Sequence, residues 1–356
     1  FSFTESDYYA KQTVLKNVGP SGQEKLKNAK VLVIGAGGLG CPALTYLVAA
    51  GVGQISICDQ DRLDASNLHR QTLYSFEDIG QEKAKLAKRR LQHTNPFVHI
   101  EAVVENVNEE NVEHLISSHD VVLDCTDNFK AKFLLNDACR LFLIPLVQAS
   151  IYQGEGQIQT ITETSACLRC LWPELPQEGC VGNCAEVGVM GVVPGALGIL
   201  QAQECLNLIL GHRVVSAEST LLFDLQEMEI TKVRRNKNPK CTVCGEDAKI
   251  TAICVENYRA PRSEFEVVAE DLAAIPENEL IDIREREERS NEDCLKHLPM
   301  SCESAFESLD QKKNYILVCS KGIRSRQMVA KLRAKGRSNF YSLSGGISTL
   351  RAEASV

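Results

Sequence analysis

The residues with the clearest chemistry in this chain are cysteines. There are 15 in 356 residues, an odd number, so no complete disulfide framework can form within one chain. In an α/β enzyme this usage points to a reduced, cytoplasmic setting in which thiols serve metals or catalysis. Two pairs, Cys167-Leu-Arg-Cys170 and Cys241-Thr-Val-Cys244, each place two thiolates on one tight turn. Together they supply the closed tetrahedral shell of a structural zinc, with no open position for catalysis; redox dithiols are the rival use and simple burial the third. Cys319 opens Cys-Ser-Lys-Gly-Ile-Arg324-Ser325, directly after the apolar run Tyr315 to Val318. Backbone N–H groups in such a loop aim inward, and with the dipole of the following helix they lower a thiol pKa and hold an anion, making a cradle for a persulfide. Cys41, Cys58, Cys125, Cys139 and Cys205 lie in apolar patterns and read as small buried hydrophobes.

A second constellation suits phosphate. Gly35, Gly37 and Gly40 fit G-x-G-x-x-G between an apolar run and a helical stretch. Missing side chains there let backbone N–H groups approach a phosphate at a helix N-terminus. Asp59 ends the next strand, where it can accept hydrogen bonds from ribose hydroxyls. These residues alone do not separate NAD from ATP. The next ones do: Asp61, then Ser66-Asn67-Leu68-His69-Arg70-Gln71, then Asp78-Ile-Gly-Gln-Glu-Lys83, then Asp124-Cys-Thr-Asp127-Asn128. Two cations, Arg70 and Lys83, and a strand-end carboxylate, Asp127, suit a triphosphate with its Mg²⁺; hydride transfer requires no such set. An NAD-dependent oxidoreductase with a regulatory thiol domain is the alternative reading.

These residues need a doubly wound frame to position them. Val31 to Ile34, the glycine loop, a helix over Pro42 to Ala50 and a strand over Gln54 to Cys58 make a βαβ unit of a parallel sheet. Further strands are expected at Val98 to Val104, Val121 to Cys125, Leu143 to Ser150 and Gly156 to Thr162. Helices are expected at Asp78 to His93, Asn128 to Leu141 and Pro194 to Leu210. Pro173 to Val187 is rich in Pro, Gly and polar residues and reads as a crossing loop, whereas Lys232 to Lys240 is basic and turn-rich. A second αβ series begins near Glu264, with a strand at Tyr315 to Cys319 and a helix at Arg324 to Lys335. The expected organisation is a Rossmann-like α/β domain over residues 1–250, a linker over 251–263 and a smaller α/β domain over 264–356.

Composition closes several doors. Lys and Arg number 39 against 47 Asp and Glu, a net charge of -8, which argues against a general nucleic-acid or anionic-membrane binder. No run approaches 18 apolar residues, and the densest, Leu141 to Val147, is broken by Pro145, so no membrane span is expected. No signal peptide is evident in a chain that begins at Phe1.

In combination, G-A-G-G-L-G, S-N-L-x-R-Q, D-I-G-x-x-K and D-C-T-D-N resemble the successive motifs of the MoeB/ThiF-type, ubiquitin-activating-like adenylyltransferases, from about Asp7 to Gly245. The resemblance implies adenylation of the C-terminal glycine of a ubiquitin-like sulfur carrier ending in Gly-Gly. It implies ATP or metal contacts at Gly38, Asp59, Asn67, Arg70, Lys83 and Asp127, with Asp127 on Mg²⁺, beside the loop's other glycines, Asp61 and Asn128. It marks Cys184 as the cysteine that forms a thioester or resolves an acyl-disulfide, with Cys180 its rival. A homodimer is the family's habit, with the segment around Lys11 reaching the partner's ATP site. Lys11 and Lys132 stand where the family usually has Arg; the charge is kept and the bidentate fork is lost.

The second resemblance is to rhodanese-type sulfurtransferases. It rests on Cys319-x-x-Gly-x-Arg324-Ser325, with Leu280-Ile-Asp282-Ile-Arg284-Glu285 before it and Gly345-Gly346-Ile347 after it. It implies a persulfide on Cys319, loaded by thiosulfate or a cysteine desulfurase, with Arg324 in the catalytic loop and Asp282 and Arg284 as a structural pair. Arg286 replaces the proline usual after R-E. Phosphatases with a similar Cys/Arg loop normally carry one residue more.

Overall fold

Apolar runs buried on both faces form the centre of the first sheet, as parallel strands require. In this computed structural model, which describes residues 4–176, 188–258, 263–289 and 294–353, the chain divides into two compact units after Arg259. The first holds β1 (Lys30–Ile34), β2 (Gln54–Cys58), β3 (His99–Val103), β4 (Val121–Asp124) and β5 (Leu146–Tyr152), parallel to one another. β6 (Glu155–Ile161), β7 (Ser219–Asp224) and β8 (Glu229–Arg234) add antiparallel strands, and the order is β3-β2-β1-β4-β5-β6-β7-β8. The strand order reverses beside β1, between β2 and β4, and in such sheets the strands' C-terminal ends at that point are the usual place for a ligand crevice.

Helices Gly40–Ala50, Lys83–Thr94, Phe129–Leu141 and Val192–Leu210 cover the sheet. The first element is not β1. Helix Gly19–Asn28 precedes it, hidden in the sequence by two glycines and a proline, and it buries only Gly22 and Leu26. Lys83 starts its own helix five positions later than expected, because Phe76–Asp78 is a separate short turn. β8 extends to Arg234, so the basic segment from Lys232 begins as strand; all of β8's residues are exposed, which hid it from a burial-based pattern. By length and composition Val192–Leu210, mean hydropathy 1.2, could cross a membrane. It is a core helix of the sheet: Leu197, Gly198, Gln201 and Cys205 are buried, and Gln201 Nε2 donates to the Asp124 carbonyl at 2.9 Å.

The second unit is an all-parallel sheet of β9 (Glu266–Val267), β10 (Asn278–Asp282), β11 (Lys296–His297), β12 (Asn314–Val318) and β13 (Phe340–Leu343). Its order is β11-β10-β12-β13-β9, and helix Ile323–Ala334 packs Met328, Val329 and Leu332 against Leu317 and Phe340.

Candidate functional site

The glycine loop is shaped by two positions. Gly35 has φ +97°, and a Cβ there would lie 2.8 Å from the Cys125 carbonyl oxygen; a Cβ at Gly40 would lie 2.0 Å from the Gly35 oxygen. Only glycine permits that closeness, which brings β1, β4 and the start of helix Gly40–Ala50 together. Around Gly38 three elements meet. A Cβ there would touch Pro194 Cβ at 3.0 Å and Arg70 Cγ at 3.7 Å, and one at Gly191 would lie 2.3 Å from the His69 carbonyl oxygen. The long core helix and the Arg70 segment therefore flank the loop.

Asp59 faces the same loop from the end of β2. Its Oδ2 accepts from the Ala36 N–H at 2.7 Å and its Oδ1 from the Asp61 N–H at 2.8 Å, which leaves each oxygen a lone pair for ribose hydroxyls. Burial raises its pKa, and the Ala36 N–H works against that rise. Lys83 is buried, with Nζ 2.9 Å from the largely exposed Asp61 carboxylate. Tyr74 ties the two segments together by donating to the Ala36 carbonyl at 2.8 Å and the Lys83 carbonyl at 3.3 Å. Arg70 Nη1 donates to the Ser66 carbonyl at 2.9 Å, and the Asn67 side chain closes the turn before it.

Two neighbouring residues at the end of β4 differ in their setting. Asp127 is exposed and has no hydrogen bond or ion pair among the described residues, so its carboxylate is available to a cation. Asn128 is used locally: its Oδ1 accepts from the Ala131 N–H at 2.9 Å and caps helix Phe129–Leu141. Lys132 lies inside, not at the surface. Its Nζ reaches the Ala149 carbonyl at 2.6 Å and the buried Asp124 carboxylate at 3.4 Å, and Gln148 donates to that carboxylate at 2.7 Å. Lys11 is exposed on the short helix Ala10–Thr13, without a partner among the described residues. Cys180 and Cys184 fall outside the described residues.

Sequence reading passed over Gln71. It is 4% exposed, its Oε1 lacks a hydrogen-bond partner among the described residues, and its Nε2 lies 3.5 Å from where a Gly37 side chain would start. Such a buried amide beside a phosphate loop has polar capacity for a ligand. Its sequence signal was only its place after Arg70.

The four cysteines of the CxxC pairs converge. Their sulfurs all lie within 4.8 Å of one another, with 3.8 Å between Cys167 and Cys170, 3.5 Å between Cys167 and Cys241 and 3.4 Å between Cys170 and Cys244. Zinc–sulfur bonds of about 2.3 Å put tetrahedral sulfurs about 3.8 Å apart, so the shell fits that ion. Contact with the Cys170 and Cys244 sulfurs, then burial, pushes the Cys167 thiol up. The knuckles are braced on both sides. Arg169 grips Asp137 at 3.0 and 2.9 Å and sits 5.0 Å over the Phe133 ring. Arg235 donates to the Ala166 and Thr160 carbonyls at 2.7 Å. By contrast Cys41 and Cys58 are pushed up to about 12 by burial, as inert packing thiols would be.

In the second unit Cys319 is 1% exposed at the end of β12, and its Sγ accepts from the Gly322 N–H at 3.1 Å. The loop is folded tightly onto the Gly345-Gly346 turn. Gly322 has φ +84°, and a Cβ at Gly346 would lie 2.3 Å from the Cys319 carbonyl oxygen, so a side chain there would break the cradle. Ser325 Oγ lies 3.5 Å from the sulfur and donates to the Gly322 carbonyl at 3.0 Å. Arg324 is bidentate with Glu288. Behind the loop, Asp282 is fully buried and held by Arg284 Nη2 at 2.8 Å and Arg289 Nε at 3.0 Å. Burial would raise its carboxyl, but the hydrogen bonds and charge of Arg284, helped by Arg289, hold it below the usual carboxylate value.

Comparison with known proteins agrees with both halves. Residues 9–243 match the ThiF family and residues 267–353 the Rhodanese-like domain. The chain is 45% identical over 249 residues to a sulfur carrier protein adenylyltransferase of Thermus thermophilus, covering 68% of this chain and 92% of that protein. It is 42% identical over 243 residues to a SAMP-activating enzyme E1 of Haloferax volcanii, covering 68% and 90%. To the adenylyltransferase and sulfurtransferase MOCS3 of Anopheles gambiae it is 41% identical over 247 residues, spanning 69% of this chain and 56% of that protein. Among solved structures, E. coli MccB with ATP shares the fold at a TM-score of 0.59 and 23% identity, covering 67% of this chain and 75% of that one.

Proposed function

Because this chain belongs to the ThiF family and carries a rhodanese-like domain after it, we propose that it activates and then sulfurates the C-terminus of a ubiquitin-like carrier protein. The terminal Gly carboxylate of the carrier attacks the α-phosphorus of ATP; an acyl-adenylate forms and pyrophosphate leaves. The glycine loop receives the phosphates, Asp59 the ribose, and Arg70 and Lys83 the charge that builds on the displaced pyrophosphate. Lys83 must exchange its Asp61 partner for a phosphate oxygen, and the exposed Asp61 can turn into water when it does. Asp127 would hold Mg²⁺, which neutralises phosphate charge when bound. The four cysteines would hold zinc as a brace only.

The second step makes the thiocarboxylate. The terminal sulfur of a Cys319 persulfide attacks the acyl carbon and AMP departs, giving an acyl-disulfide. The Cys184 thiolate then attacks Cys319 Sγ, the S–S bond breaks, and the carrier leaves as a thiocarboxylate; an external thiol reduces the disulfide left behind. A homodimer, with Lys11 reaching across, completes the proposal.

The observation that supports this reading is the joint presence of Arg70 beside Gly38, the buried Lys83, and Asp127 at the end of β4, exposed and without a partner among the described residues, a set hydride transfer does not require. The test is the intact mass of a Gly-Gly carrier after incubation with ATP, Mg²⁺ and a persulfide donor. The native chain should exchange one carrier oxygen for sulfur, and Cys319→Ala should accumulate acyl-adenylate with no thiocarboxylate. Thiocarboxylate formed at the native rate by Cys319→Ala would refute the second step.

A further inference from the structure

Arg324 enters the sulfur loop already engaged. Its Nη1 donates to Glu288 Oε1 at 2.6 Å and its Nη2 to Oε2, a two-point grip of the kind a guanidinium offers to any planar oxyanion. Ser320 Oγ, in the loop itself, lies 3.1 Å from Arg324 Nη2 and 3.5 Å from Glu288 Oε2. Glu288 comes from another element, the short turn Arg286–Glu288 that follows β10. That turn is anchored from behind, because Arg284 Nη1 donates to the Glu288 carbonyl at 3.3 Å while holding the buried Asp282. The carboxylate is therefore delivered by a fixed piece of backbone. Lys321 is the other cation of the loop, and it is exposed with no partner among the described residues.

We propose that Glu288 sets the donor selectivity of the Cys319 loop by filling the Arg324 fork with a tethered carboxylate. A dianionic inorganic donor such as thiosulfate must displace that carboxylate. An organic persulfide delivers its sulfane sulfur without an oxyanion and displaces nothing. This inference rests on the sulfurtransferase reading of Cys319. In the step concerned, the Cys319 thiolate attacks the sulfane sulfur of thiosulfate, the sulfur–sulfur bond breaks, and sulfite leaves with the electron pair. Cyanide then removes the sulfane sulfur as thiocyanate and restores the thiolate. Arg324 is the group placed to receive the departing oxyanion, and Glu288 is its intramolecular competitor.

The test uses the full chain and Glu288→Gln. With thiosulfate and cyanide, KM for thiosulfate should fall about fivefold at unchanged kcat, the size expected for an ion pair of this exposure. The monoanion methanethiosulfonate should gain less, and loading of Cys319 by an alkyl persulfide that carries no carboxylate, read by intact mass, should not change. In an Arg324→Gln background the same substitution should have no effect on KM. Glu288→Asp, one methylene shorter, should give an intermediate KM and provides a second reading should the glutamine variant fold poorly. An unchanged KM in both variants, or an equal gain without Arg324, overturns the selectivity role while leaving the sulfurtransferase intact. No sulfur on Cys319 from any donor overturns that reading, and the selectivity role with it.

Discussion

Lys83 shows how one residue can be legible in type and illegible in setting. Its spacing after Asp78-Ile-Gly marked a phosphate-facing cation, and nothing in the sequence showed that its amine is buried against Asp61. Lys83→Met removes the positive charge that we propose meets the leaving pyrophosphate and should slow carrier adenylation about 10²- to 10³-fold, read by single-turnover AMP release, with the melting point retained. Asp127, expected as a strand-end carboxylate for Mg²⁺, is exposed and makes no hydrogen bond or ion pair among the described residues, whereas Asn128 beside it caps a helix. Motif adjacency does not distinguish a ligand from a cap; only the path of the following helix does. Asp282 carries a pH prediction. Its carboxyl is held below 3.8 in the fold, so the stability it adds is fully present above that value and is lost as the pH falls through the folded one. Circular dichroism of the native chain should show the second unit weakening below about pH 4. Asp282→Asn should cost about 3 kcal/mol at neutral pH, because the buried Arg284 and the half-buried Arg289 lose their shared carboxylate, and should flatten that acid limb.

At the scale of elements, the parallel strands announced themselves because burial on both faces leaves unbroken apolar runs such as Val31-Leu-Val-Ile34. β8 did not, since Glu229–Arg234 is exposed throughout and runs into the basic, turn-rich segment Lys232 to Lys240. The short strands of the second unit, two residues each for β9 and β11, are below what periodicity can register. The cysteine knuckles were legible from spacing alone. Their bracing was not, because Asp137, Phe133 and Thr160 come from distant segments and meet Arg169 and Arg235 only in the fold. Metal analysis should find about one zinc per chain, matching the one four-cysteine group among the described residues. Strong chelation or Cys244→Ser should release it and lower the melting temperature of the first unit without touching the Cys319 loop. A full melting point with no bound metal would show the thiols to be packing.

Across the whole molecule, two compact α/β units carry two chemistries that need each other. The first makes an acyl carbon electrophilic and the second supplies a sulfur nucleophile, so one chain holds both halves of a group transfer. Sequence motifs located each half because each chemistry needs backbone N–H groups bared by glycine at a helix start, Gly35 to Gly40 in one and Gly322 in the other. Spacing says nothing about tethered counter-ions such as Asp61 and Glu288, since these are set by tertiary contacts alone. The claim on which both halves depend is that the first crevice transfers AMP to a protein carboxylate. Exchange of labelled pyrophosphate into ATP tests it most directly, measured with a Gly-Gly carrier, with that carrier's C-terminus amidated, and with none. Exchange should appear with the free carboxylate alone and vanish in Asp127→Ala. Exchange of equal rate without any carrier, or none with every carrier while ATP fails to bind, would contradict the account.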